Sequence, residues 1–159
     1  MGLDMYLQAK RYVNKFDYGN DPERKVMEPY KKLAEMFPDL NKTPDNIYGF
    51  EVSKVVCYWR KANQIHDWFV RNVQDGEDDC RLYRVGRDDL EQLVKLCERL
   101  LKNRDPKEAE EELPTAQGCF FGSQEYGQYY WEDLESTVYA LTLCLELPEE
   151  WDFEYQASW

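Results

Sequence analysis

Two short stretches hold the residue types that could do chemistry. In EVSKVVCYWRKANQIHDWFVRNVQ, residues 51–74, Arg60 and Lys61 supply fixed positive charge, Asn63, Gln64 and His66 supply directional hydrogen bonds, and Tyr58 and Trp59 supply flat surfaces. In GCFFGSQEY, residues 118–126, Phe120, Phe121 and Tyr126 add further rings, while Gly122 and Ser123 stand in a glycine-flanked loop ahead of a helix. That combination suits a planar, anionic ligand. A base stacks on an aromatic ring for about 1–3 kcal/mol, a guanidinium grips phosphate through paired donors, and free N–H groups at a helix start favour an anion. The residues predicted to bind are Tyr58, Trp59, Arg60, Lys61, Asn63, His66, Phe120, Gly122, Ser123 and Tyr126.

Reactive chemistry finds less support. A nucleophilic site would need Cys119 or Ser123 with His66 as base, because His66 is the single histidine. Ser123 lacks the GxSxG elbow, and no cysteine stands in a catalytic signature. Neither GxxxxGK[ST] nor GxGxxG occurs, so neither familiar phosphate-cradling loop is present. With 32 acids in 159 residues, accidental carboxylate pairs are certain, and no glycosidase or metal-hydrolase pattern stands out. Five cysteines without a CxxC pair, beside one histidine, argue against structural zinc and fit a reducing compartment. The expectation is therefore a binder without catalytic residues, metal or cofactor.

Charge narrows the partners. The net charge is −12, but residues 1–73 carry 12 Lys and Arg against 10 Asp and Glu, whereas residues 74–159 carry 8 against 22. Duplex nucleic acid is disfavoured, since it needs a positive footprint, while the first half can still hold a small anion. A hydrophobic content of 43% and an aromatic content of 15% argue for a folded core. No apolar run reaches the roughly 20 residues of a membrane span, and MGLDMYLQAK lacks the basic start and apolar middle of a secretory signal. A soluble protein of the cytoplasm is expected.

The elements that must position these residues follow from periodicity. Leu3 to Val13 alternates as a half-buried strand. A helix is predicted from about Pro29, with Tyr30, Leu33, Ala34 and Phe37 inward, and Pro38–Asn46 reads as a polar loop. Residues 47–56 read as a strand at least to Ser53, with the changeover to helix near Cys57. Wound at about 100° per residue, Tyr58–Val73 puts Trp59, Ala62, Phe69, Val70 and Val73 on one side, interrupted by Asn63 and His66. Those two polar residues must be paired inside the core or must open onto a cleft. A short strand is predicted within Arg81–Val85. Asp88 and Glu91 form a capping box for a helix lined by Leu90, Leu93, Val94, Cys97, Leu100 and Leu101. Residues 103–112 read as a solvated charge run for which helix is an option, and a further helix runs from about Tyr129 to Leu147, stopped by Pro148. Trp151, Phe153, Tyr155 and Ala157 alternate as a last strand. The fold class is α+β: one domain over 1–159, with a small mixed or antiparallel sheet and three to four helices packed on it.

MGLDMYL at the start, YWRKANQIHDWFV at 58–70 and LPTAQGCFFGS at 113–123 together resemble a family of small, mostly uncharacterised proteins of bacteriophages and prophages. The resemblance spans nearly the whole chain and implies a setting in the cytoplasm of an infected cell. Small non-enzymatic phage proteins include inhibitors of host defence that sequester cyclic oligonucleotide or cyclic ADP-ribose-type signals. The expected function is a counter-defence sponge for such a nucleotide-like ligand, and an oligomer with pockets at or near subunit contacts fits it. The alternative is an acidic inhibitor of a host protein that mimics nucleic acid.

Overall fold

Alternation in the opening residues is what builds the sheet. In the computed structural model, which describes residues 2–17, 19, 25–42, 48–118 and 121–159, strand β1 spans Asp4–Asn14. Leu3, Met5, Leu7 and Ala9 are buried, and Asp4, Tyr6, Gln8 and Lys10 are only half-buried. Helix α1 (Glu28–Met36) and a 3-10 turn (Pro38–Lys42) follow, then β2 (Gly49–Arg60), α2 (Asn63–Asn72), β3 (Tyr83–Val85), α3 (Arg87–Asn103), α4 (Pro106–Glu112), α5 (Gln128–Leu145) and β4 (Asp152–Ser158). The four strands form one antiparallel sheet in the order β2-β1-β4-β3, so the fold is α+β. In the β3–β4 pair Tyr83, Arg84 and Val85 face Tyr155, Glu154 and Phe153. Among the described residues, no helix is long and apolar enough to cross a membrane.

The chain divides into two compact units, Met1–Ala9 with Lys54–Trp159 and Lys10–Ser53. The larger unit holds the core: Leu3, Met5 and Leu7 of the first strand, Phe153 and Tyr155 of the last, and apolar residues of α2, α3 and α5 join in one buried cluster. Phe69 stacks on Tyr155 with ring centroids 4.0 Å apart and planes within 11°. In the smaller unit Tyr30 packs on Phe50 at 4.9 Å, Lys10 pairs with Glu51 at 3.0 Å, and Phe16 bridges to Val26. None of its described residues is buried.

Two boundaries differ from the sequence reading. Strand β2 continues through Tyr58, Trp59 and Arg60, so the central helix begins at Asn63 instead of near Cys57. Trp59 is buried and Tyr58 exposed, which is the alternation of a strand. Helical winding also placed Trp59 inward, so the two periods agree at that residue and diverge only in which backbone carries it. Lys61, with φ +62°, breaks the strand in the left-handed region. The cap of α3 is Gly86, whose N–H donates to Asp89 Oδ2 at 2.9 Å; the spacing of three that suggested Asp88 and Glu91 recurs two residues earlier. The charge run at 103–112 contains a helix, α4, capped by the Asp105 side chain accepting from Lys107 N–H. The described residues thus form five α-helices where three or four were expected.

Candidate functional site

The turn between β2 and α2 is where sequence and geometry converge. Lys61 N–H donates to the Leu3 carbonyl at 2.8 Å, and the Lys61 carbonyl accepts from Asn63 N–H at 2.9 Å, so the turn is pinned on both sides. Against it lies Gly122, with φ +102°. A Cβ at Gly122 would stand 2.9 Å from the Lys61 carbonyl oxygen and 3.0 Å from Lys61 Cβ. Glycine is therefore required at 122 both for its backbone angle and for the close approach.

Asn63 ties the same loop to the helix. Its amide Nδ2 donates to the carbonyls of Phe121 at 3.1 Å and Ser123 at 2.9 Å, and its Oδ1 accepts from Ala116 N–H at 2.9 Å. With 1% exposure it is a buried clamp on the 116–123 loop and not a surface donor. His66, also 1% exposed, is equally committed: Nδ1 lies 2.8 Å from the Tyr155 hydroxyl and Nε2 3.0 Å from Asp78 Oδ1. A carboxylate only accepts, so Nε2 carries the proton and Nδ1 accepts from Tyr155. Phe121 and Trp159 enclose the ring at 5.3 and 5.5 Å. Burial holds the imidazole below its ordinary pKa, against the opposing pull of Asp78. Of the two readings of the polar interruption in α2, the coordinates match the satisfied one.

A hollow of about 520 Å³ nevertheless opens beside this clamp. It is lined by Arg60, Lys61 and Gln64 from the β2–α2 turn, Gly122, Ser123 and Glu125 from the loop, and Gly127, Gln128, Tyr129, Tyr130 and Asp133 from the start of α5. Arg60 stands 4.0 Å from Asp4, a loose pair, and Lys61 has no ion-pair partner among the described residues. On another wall Gln64 Nε2 donates to Asp133 Oδ2 at 3.0 Å. Burial pushes the Asp133 carboxyl up to about 6, the Gln64 hydrogen bond pulls it back and Glu132 pushes it further. The lining thus carries two cations, Arg60 and Lys61, adjacent in the chain, and two acids, Glu125 and Asp133, from the loop and from α5.

Of the ten residues predicted to bind, Arg60, Lys61, Gly122 and Ser123 line the hollow. Tyr58 is exposed on β2, its ring tilted against Tyr6 at 5.3 Å and its hydroxyl donating to Asp4. Trp59 is buried, its indole N–H donating to Thr137 Oγ1 at 2.8 Å. Tyr126 packs on Tyr130 at 5.1 Å and its hydroxyl accepts from Thr115 N–H. Asn63 and His66 sit in the interior, and Phe120 lies outside the described residues, as does Cys119. Asp133, Gln128 and Tyr129 were not singled out from the sequence. The available signal was their position in the first turns of α5, directly after the glycine loop. Among the described residues no group of three or more His, Cys, Asp or Glu is placed to hold a metal ion. No protein-family model, curated protein or solved structure matches this chain.

Proposed function

We propose that the protein is a non-catalytic binder that captures a nucleotide-like anion in the hollow beside the β2–α2 turn. The setting we propose is that of a bacteriophage counter-defence protein removing a cyclic oligonucleotide or cyclic ADP-ribose-type signal in the cytoplasm of its host. The observation that carries this reading is a hollow of about 520 Å³ with the unpaired Lys61 ammonium and the loosely held Arg60 guanidinium in its lining. Both side chains are exposed, so their attraction for an anionic group acts through solvent and weakens as salt rises. Tyr129, 77% exposed, offers a ring on which a base can stack. Nucleophilic turnover has little to work with: both His66 nitrogens are engaged, and Ser123 Oγ accepts from Glu125 N–H at 3.1 Å.

Calorimetry and thermal-shift measurements against cyclic mono- and dinucleotides and cyclic ADP-ribose test the reading. Capture predicts heat and a rise in Tm with at least one of them, and at least a tenfold loss of affinity in the Arg60→Ala, Lys61→Ala double variant. Absence of heat and of any Tm shift across the panel would remove it. The acidic second half of the chain would then be the better account, with association to a basic host protein that weakens as salt rises.

A further inference from the structure

Gln64 is 2% exposed yet lines the hollow, which makes it an almost wholly enclosed amide with one end open. Its Nε2 is committed to Asp133 Oδ2 at 3.0 Å, so its carboxamide oxygen must look elsewhere. Neither that oxygen nor Asp133 Oδ1 has a hydrogen-bond partner among the described residues. Joined by that hydrogen bond, the two side chains leave a pair of acceptors, one of them anionic, in the lining of the same hollow. A ligand group that meets them without loss must present two adjacent N–H donors.

We infer that Asp133 and Gln64 read the guanine edge of a bound nucleotide, its ring N1–H together with its exocyclic N2 amino group. The inference rests on the capture reading and names the base that the hollow selects. Adenine presents an amino donor beside a ring nitrogen lone pair, so one of its edge atoms would meet an acceptor with an acceptor. Hypoxanthine keeps the ring N–H and lacks the amino group. The cationic residues Arg60 and Lys61, which line the same hollow, are left to the phosphate. Gly122, which a side chain would push into Lys61, keeps the approach to them open.

The test is a competition series with the whole protein, using cyclic GMP, cyclic IMP and cyclic AMP, with L-arginine as a ligand that also joins a paired N–H edge to an anion. Cyclic GMP is expected to bind at least about tenfold more tightly than cyclic AMP, with cyclic IMP between them, because a buried acceptor left facing a lone pair is penalised. Asp133→Asn is expected to lower cyclic GMP affinity about tenfold and to change cyclic AMP affinity less than about twofold. The wild-type ratio needs no variant, so a misfolded Asp133→Asn protein does not blunt the test. Equal binding of cyclic GMP and cyclic AMP overturns the guanine assignment and leaves capture standing. Tighter binding of L-arginine than of any nucleotide overturns the assignment as well, and failure of every compound to bind overturns the assignment while heat with a cyclic dinucleotide or cyclic ADP-ribose keeps capture standing.

Discussion

Helices α1 and α3 were read from the same kind of signal, and they do different things. Each repeats apolar residues at helical spacing, yet α3 buries Leu90, Leu93, Val94, Cys97 and Leu100 while α1 buries none of its nine residues. Phe37, assigned to the inward face of α1, is 49% exposed and caps the helix from outside. The contrast extends to the units that contain them: the described part of Lys10–Ser53 has no buried residue, and the other unit carries the core and the hollow. Periodicity states which side of a helix turns inward. It does not state how much apolar surface waits there, and a helix of nine residues draws most of its stability from such a surface.

The largest effect should therefore separate these units. Leu93→Ala in α3 is expected to cost about 2–5 kcal/mol in urea unfolding, while Leu33→Ala in α1 should cost less than about 1 kcal/mol. Comparable losses at the two positions would break the comparison. Within the larger unit, Asn63→Ala leaves the buried Phe121 carbonyl and the partly buried Ser123 carbonyl and Ala116 N–H without their partner. A loss of about 2–3 kcal/mol is expected by thermal melting, together with faster amide exchange at 116.

Two glycines sharpen the same point at smaller scale. Gly76 and Gly122 both have positive φ, but a Cβ at Gly76 meets nothing within 4 Å while one at Gly122 meets the Lys61 carbonyl. Gly76→Ala should cost about 1 kcal/mol for the backbone angle alone, and Gly122→Ala about 1–3 kcal/mol more, with loss of ligand affinity only in the second. Equal penalties would mean that the loop does not press on the turn.

The smallest effects come from titration, and they have opposite signs. Burial pushes the folded Asp133 carboxyl up to about 6 from its ordinary 3.8, so the native state binds more protons between those values and stability falls as pH rises through that window. Above about pH 6 the full penalty is present, on the order of 1–2 kcal/mol after screening of a partly exposed group. Asp133→Asn should raise Tm at pH 7.5 and lose that advantage at pH 4. His66 acts the other way. Its folded pKa is lowered, so its contribution to stability is present above about 6.5 and is lost as pH falls through the folded value. In the Asp133→Asn background the melting temperature should accordingly drop from pH 6.5 toward 5, and a flat profile there would exclude the imidazole as the cause.

Much of the scaffold was legible from the residues. The alternation of Leu3, Met5, Leu7 and Ala9 and of Phe153, Tyr155 and Ala157 marked two strands, and the α3 stripe marked its helix, because in each case one backbone period fits the pattern and no other does. The stretch 57–62 was misread because both periods turn Trp59 inward, and only the left-handed Lys61 decides between them. The candidate site was half legible. Arg60, Lys61, Gly122 and Ser123 were chosen for what their side chains or backbone offer an anion, and they line the hollow. Asn63 and His66 were chosen by the same chemistry and are enclosed, since a hydrogen-bonding group serves a clamp as well as a ligand.

By itself the sequence determined the α+β class, the inward faces of the strands, the placement of charge along the chain and the absence of familiar catalytic and phosphate-loop motifs. These are properties of neighbours in the chain, and local periodicity reports them. Only the tertiary structure decided that Gln64 meets Asp133 across 69 positions, that Tyr155 and Asp78 occupy both nitrogens of His66, and that none of the described residues of Lys10–Ser53 is buried. Such facts depend on which distant surfaces meet, and pairings of that range leave no period in the chain to be read.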